Sequence, residues 1–180
     1  MQATISVHDK NFILYLDNKM IQQRVAQIAA DINTDFKDKN PVFLIILRGA
    51  FMFAADILKN ISIPCEIDFV KLSSYDGLQT SGKIKLEAEP KIELKNRNII
   101  IIEDIVDSGL TMAFFLQYLE LKRAKSITLV SLLSKPENLQ RDIKINYCGF
   151  VIPNLFVVGY GLDYNEQGRN LDAIYQIVCN

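Results

Sequence analysis

The chain of 180 residues carries 20 basic and 21 acidic side chains for a formal charge of −1, and 49% of it is hydrophobic. This is the composition of a folded globular protein, read here as one domain over 1–180, and nothing in so even a balance advertises a nucleic-acid or membrane surface. The longest apolar runs, such as Ile99–Ile102, are far too short to span a bilayer. No basic segment leads into an apolar stretch near the start, so no signal peptide is expected. The cysteines, Cys65, Cys148 and Cys179, include no close pair, which suits reduced thiols and a cytoplasmic location.

Along the chain, Ile21, Val25, Ile28, Ala29, Ile32 and Phe36 recur at three- and four-residue spacing, which predicts an amphipathic helix. Pro41 ends it, and the apolar run Val42–Leu47 predicts a buried strand broken by Gly49. A second helix is expected over Phe51–Leu58, and a strand from Pro64 through Ile67, Phe69 and Leu72. Residues 74–82 have the composition of an exposed loop, and Ile84 and Leu86 then alternate with charges as in a half-exposed strand. Asn98–Ile102 predicts a buried β-branched strand, then an acidic loop and a helix bearing Phe114, Phe115, Tyr118 and Leu119. Ser126–Leu133 is the next buried strand, with shorter strand signals near Tyr147–Val151, Phe156–Tyr160 and Ala173–Val178. Buried strands alternating with helices predict an α/β fold: a mainly parallel central sheet flanked by helices, with a small hood lobe from the chain ends.

The only histidine is His8, in a polar setting beside Asp9 and Lys10, where a solvated surface role is expected. Histidine-based triads and zinc sites are thereby disfavoured, leaving carboxylates, lysine, arginine, backbone amides and a hard metal to carry any chemistry. The stretch IIIIEDIVDSGLT, Ile99–Thr111, concentrates such groups. A buried strand runs into Glu103 and Asp104, at the sheet edge where ligands of open α/β sheets sit. Asp107-Ser108-Gly109-Leu110-Thr111 then enters a helix, whose first amides and positive end suit a phosphate. Asp107 or Ser108 also fits the plainer role of helix cap. A cap does not explain three acids beside a phosphate loop, since acids there repel phosphate unless they hold hydroxyls or magnesium. Gly77–Lys83 imitates a Walker A loop, but Ile84 stands where that motif needs Ser or Thr and a strand follows instead of a helix, so an ATPase is rejected.

The Ile99–Thr111 stretch resembles the phosphoribosyl-pyrophosphate signature of type I phosphoribosyltransferases. Four further segments resemble the hypoxanthine–guanine branch, in the family's order: LRGAFMFAAD from Leu47, SSYDG from Ser73, LLSKPE from Leu132 and FVVGYGLDYNEQGRNL over Phe156–Leu171. The resemblance implies transfer of a 5-phosphoribosyl group from phosphoribosyl pyrophosphate to a 6-oxopurine, hypoxanthine or guanine. It implies that residues Asp107, Ser108, Gly109, Leu110 and Thr111 cradle the 5-phosphate, that Glu103 and Asp104 hold the ribose hydroxyls, and that Asp107 is the acid/base at the purine N7. Arg48, Gly49 and Arg169 would bind pyrophosphate, in a loop whose peptide (Arg48–Gly49 in this reading) can be cis. Lys135 would donate to the purine O6, Phe156 would stack on the ring, Val157 would offer backbone groups to the base edge, and Asp163 would also belong to the purine site. Lys135 also fits an ordinary loop cation and Phe156 an ordinary core residue. Mg2+ is the implied cofactor, with Glu103, Asp104 and Asp163 as metal-site acids. Ser74 and Tyr75 would belong to a mobile lid that excludes water. A homo-oligomer, dimer or tetramer, is also implied, with no nucleic-acid or membrane partner.

The departures from the family pattern are modest. Leu110 stands where relatives often have a polar or basic residue, and Asp172-Ala173 where many have a proline and an aromatic residue. The rival readings are transfer to another base, such as xanthine or a pyrimidine, and a regulatory nucleotide- or RNA-binding relative.

Overall fold

The computed structural model describes residues 4–73 and 84–178, together with the backbone of Ser74. The Walker-like segment, Tyr75 and Cys179 therefore lie outside the described residues. The first long helix, α1 (Asn18–Asp35), starts where Asp17 caps it: the Asp17 carboxylate accepts from the Met20 N–H at 2.8 Å. Its apolar face, Ile21, Val25, Ile28, Ala29 and Ile32, is buried. The chain leaves the helix through Asp38 and Asn40, both at positive φ, and Pro41.

The central sheet runs β5-β4-β3-β6-β7-β8. Its strands are β3 (Val42–Leu47), β4 (Glu66–Ser74), β5 (Ile84–Ala88), β6 (Asn98–Val106), β7 (Ser126–Ser134) and β8 (Tyr147–Val151). All neighbours are parallel except the antiparallel pair β4–β5. Alternation along β3 sorts the side chains between the two faces. Phe43 and Ile45 meet α1 and α2 (Phe51–Lys59), while Val42, Leu44 and Ile46 meet α3 (Leu110–Leu121). In β6, Ile100 and Ile102 face the first layer, Ile99 and Ile101 the second. Such fully buried side chains each contribute about 1.5–3 kcal/mol over exposure.

A second, antiparallel sheet of order β1-β2-β10-β9 joins the chain ends. It consists of β1 (Thr4–Val7), β2 (Lys10–Leu16), β9 (Val157–Val158) and β10 (Ile174–Ile177), around a small core of Val7, Phe12 and Val158. This is the expected hood. Exposed His8 sits in the β1–β2 turn, with its Nε2 3.0 Å from the Asn165 carbonyl oxygen.

One expectation is corrected. The buried strand does not stop at Ile102 before an acidic loop: β6 continues to Val106, carrying Glu103 and Asp104 within it. Its neighbour supplies the reason, because β7 reaches Ser134 and pairs Leu133 with Ile105 and Ser134 with Val106. After β3 the chain crosses to β4 on one side, and after β6 to β7 on the other. The ends of β3 and β6 thus form the topological switch point at which doubly wound sheets open a crevice.

Candidate active site

A cavity of about 230 Å³ lies at that switch point. One wall is Leu47 at the end of β3 with Arg48 and Gly49 after it; the other is Glu103 to Gly109 with Thr111. The two walls touch. A Cβ on Gly49 would fall 1.6 Å from Asp104 Oδ2, so a larger residue there would push the Asp104 carboxylate aside. The cis peptide of this loop is Leu47–Arg48, one bond before the Arg48–Gly49 bond of the sequence reading.

The capping question is resolved by the start of α3. Its N-cap is Gly109 at φ 75°, with no side-chain cap, and the first helical bond runs from the Ala113 N–H to the Gly109 carbonyl. Asp107 therefore does not cap α3, whose first turn opens beside the cavity. Ser108 Oγ makes one long contact, accepting from the Leu110 N–H at 3.4 Å. Leu110 itself opens the helix but is not among the residues lining the cavity.

Asp107 is instead tied to the next strand's loop. Lys135 Nζ donates to its Oδ2 at 2.8 Å and Asn138 Nδ2 to its Oδ1 at 2.9 Å. Burial pushes the Asp107 carboxyl up, but the Lys135 and Asn138 hydrogen bonds outweigh it and hold the group below the ordinary carboxylate range. Glu103 goes the other way. It is 7% exposed, and burial together with adjacent Asp104 pushes its carboxyl well above the usual range. Asp104 remains the better-exposed acid of the pair, its Oδ1 accepting from the Ile105 N–H at 2.9 Å.

Lys135 is 6% exposed and is no ordinary loop cation. An ammonium has three donors, and the Asp107 pair uses one. Phe156 is no core residue either: it is 47% exposed, tilted against Phe12 and edge-on to Tyr164. Val157 lies on β9, the edge strand of the hood sheet. The Phe156 carbonyl accepts from the Ile177 N–H at 2.9 Å, so by antiparallel alternation the N–H and C=O of Val157 point away from β10.

Asp163 and Arg169 lie outside the cavity lining, on the loop that follows β9. That loop is brought against the Arg48 segment by Gly161. At φ 102°, Gly161 has its Cα so near the Gly49 carbonyl that a Cβ would sit 1.9 Å from the oxygen. Arg169 donates to the Gly161 carbonyl at 2.9 Å and pairs with Asp163 at 2.7 Å, while its buried Nε has no partner among the described residues. Glu166 bridges the two arginines, at 2.9 Å from Arg48 and 3.4 Å from Arg169. Glu166, Asn138 and Asn154 were passed over in sequence. The first stands inside the resembling stretch but is only one of several polar residues there, and the two asparagines join Asp107 only through the folded loops. Ser74 ends β4, and the lid reading around Tyr75 falls outside the described residues.

Among the described residues no three acidic, histidine or cysteine side chains gather as a metal cluster, and Asp163 stands apart from the Glu103–Asp104 pair. No helix among them is long and apolar enough to cross a membrane.

The comparisons agree with this architecture. The phosphoribosyl transferase domain family matches residues 14–165. The chain is 40% identical over 168 residues to the hypoxanthine-guanine phosphoribosyltransferase of Bacillus subtilis, covering 93% of each. It is 34% identical over 175 residues to the hypoxanthine-guanine-xanthine phosphoribosyltransferase of Tritrichomonas foetus, covering 97% of this chain and 95% of the relative. A crystal structure of a hypoxanthine-guanine phosphoribosyltransferase from Bacillus anthracis superposes with a TM-score of 0.87 at 37% identity, over 92% of this chain and 98% of that one. With a family match over most of its length, relatives of near-equal extent and the same fold, the chain belongs to the phosphoribosyl transferase family, in the branch of the hypoxanthine-guanine phosphoribosyltransferases.

Proposed function

We propose that this protein transfers the 5-phosphoribosyl group of phosphoribosyl pyrophosphate to a 6-oxopurine, hypoxanthine or guanine, giving IMP or GMP and pyrophosphate. The observation that carries the reading is the pairing of a buried lysine, Lys135, with Asp107 at the rim of an uncapped helix N-terminus. That pairing supports the reading of Lys135 as a base-side donor and of Asp107 as a proton-handling carboxylate beside a phosphate cradle.

In this reading the amides and hydroxyls of Asp107–Thr111 hold the 5-phosphate, and Glu103 and Asp104 orient the ribose hydroxyls. Arg48, Gly49 and Arg169 receive the pyrophosphate as it leaves. Asp107, held ionised, accepts the purine N7 proton as the base nitrogen bonds to the anomeric carbon. Lys135 spends a free donor on O6, Phe156 covers the ring, and the outward backbone groups of Val157 meet the base edge. The reaction runs on positioning and charge.

The acidic oxygens also suit a hard divalent ion. Mg2+ takes one or two protein carboxylates and fills its shell with substrate oxygens and water, which fits acids that do not form a closed cage. Asp104, with Glu103 beside it, and Asp163 would hold such ions, which supply charge neutralisation to the pyrophosphate when bound.

The test is kcat/KM for hypoxanthine, guanine, xanthine and adenine, in the wild type and in Lys135→Ala. Adenine carries an amino group at position 6 and leaves the lysine facing another donor. Sites built on one hydrogen bond reject such analogues by up to about 10,000-fold. Efficient use of a 6-oxopurine with little use of adenine is the expected result, and adenine turnover comparable to hypoxanthine overturns the reading. Lys135→Ala is expected to erode the discrimination.

A further inference from the structure

Lys135 has two clients in this site, the Asp107 carboxylate and the purine oxygen, so a lysine turning toward the base gives up part of its hold on Asp107. Asn138 has no such second duty to the substrate. A carboxylate only accepts hydrogen bonds, so the Asn138 amide nitrogen must be what faces Asp107. The same nitrogen donates to Asn154 Oδ1 at 2.7 Å, which fixes the plane of the amide from behind. Its backbone is equally constrained. Asn138 closes the 3-10 turn Pro136–Asn138, its own N–H bonds the Lys135 carbonyl at 3.0 Å, and the Gln140 N–H bonds the Ser108 carbonyl at 2.9 Å. The turn is thus stapled to the phosphate loop, and the amide is delivered to Asp107 by main chain on both sides.

We infer that Asn138, braced by Asn154, is a positioning residue: it holds the Asp107 carboxylate in one orientation, and ionised, when Lys135 engages the base. The inference rests on the reading of Asp107 as the acid/base group. The charged groups around Asp107 are Lys135, bonded to it, and Arg48, Glu103 and Asp104, which line the same cavity. A neutral donor orients the anion without adding a cation that would compete for the leaving pyrophosphate.

The experiment compares wild type, Asn138→Leu, Asn138→Gln, Asp107→Asn and the Asn138→Leu/Asp107→Asn pair, reading kcat, both KM values and the pH profile of kcat. Asn138→Leu should lower kcat about 10-fold or more with each KM within about 2-fold, as expected when a group acts on the reacting centre and not on binding. The acid limb of its profile should move up toward the ordinary carboxylate range, because a hydrogen bond to the ionised form is lost. Asn138→Gln, which keeps the donor, should recover part of both. In the Asp107→Asn background the leucine change should add less than about 2-fold. Should Asn138→Leu fail to fold, Asn154→Leu on the exposed side carries the same two readouts. A slow Asp107→Asn beside an Asn138→Leu enzyme of wild-type kcat and pH profile overturns this inference alone. So does an equal leucine effect in both backgrounds. A fast Asp107→Asn enzyme overturns the acid/base reading and this inference with it.

Discussion

Asp107 sits where two opposing influences on its proton meet. Burial raises its proton affinity, while the Lys135 and Asn138 bonds lower it by more, so its folded pKa lies below its unfolded value. Linkage then fixes the sign: the stability this carboxylate contributes is present above its unfolded pKa and is lost as pH falls through the folded one. The side chain is 46% exposed, so that contribution is small and screened. If Asp107 is the acid/base group, Asp107→Asn, which keeps its size but cannot take the N7 proton, should lower kcat by about 100- to 10,000-fold. An acid limb below the usual carboxylate range is expected of the wild type and should vanish from the variant's profile, and the acid side of the variant's stability curve should flatten slightly. Steady-state kinetics and urea melts across the acid range check both. A turnover within a few-fold of wild type would return Asp107 to a loop residue. Asp107 was legible in sequence as a candidate, because it lies in a continuous stretch with Glu103, Asp104 and Thr111 at short spacing. Its partner Asn138 was not, since a lone asparagine after Pro136-Glu137 has the composition of any turn.

Elements were the most readable scale. α1, β3, α2, β5, α3 and β8 lie within a few residues of their expected bounds, because hydrophobic period and turn chemistry are read from neighbours along the chain. The Asp17 cap belongs to this scale. Its carboxylate satisfies one otherwise unpaired first-turn N–H of α1, and Asp17→Ala should cost about 1 kcal/mol. A lower urea midpoint with unchanged kcat is the expected result, since α1 packs behind the sheet and Asp17 lines no part of the cavity. The longer β6 shows where local reading ends. Glu103 and Asp104 look like the end of a buried strand, yet pairing of Ile105 and Val106 with β7 carries the ladder past them. The partner strand decided this, and its length is not encoded in β6.

At the scale of the whole molecule, the hood and the sheet meet at Gly161 and Gly49. A methyl on Gly161 would clash with the Gly49 carbonyl at 1.9 Å and would strain a φ of 102°. Gly161→Ala should therefore push the Asp163–Arg169 loop from the Arg48 loop, with a stability loss of about 1–3 kcal/mol. If those loops together receive pyrophosphate, KM for the donor should rise about 10-fold while KM for the base changes little. Donor and base KM values, with a thermal melt, check the split, and an unchanged donor KM would detach the Gly161 contact from pyrophosphate binding. The alternation of buried strands and helices, and the run of acids Glu103, Asp104 and Asp107 leading into α3, were determined by the sequence alone, because each is a pattern among residues a few places apart. Only the tertiary structure decided that Arg48 and Arg169 share Glu166, that Gly49 lies on Asp104, and that Asn138 and Asn154 brace Asp107. Those contacts join loops from different strand ends, and strand order in the sheet, set by the packing of the whole core, determines which loops become neighbours.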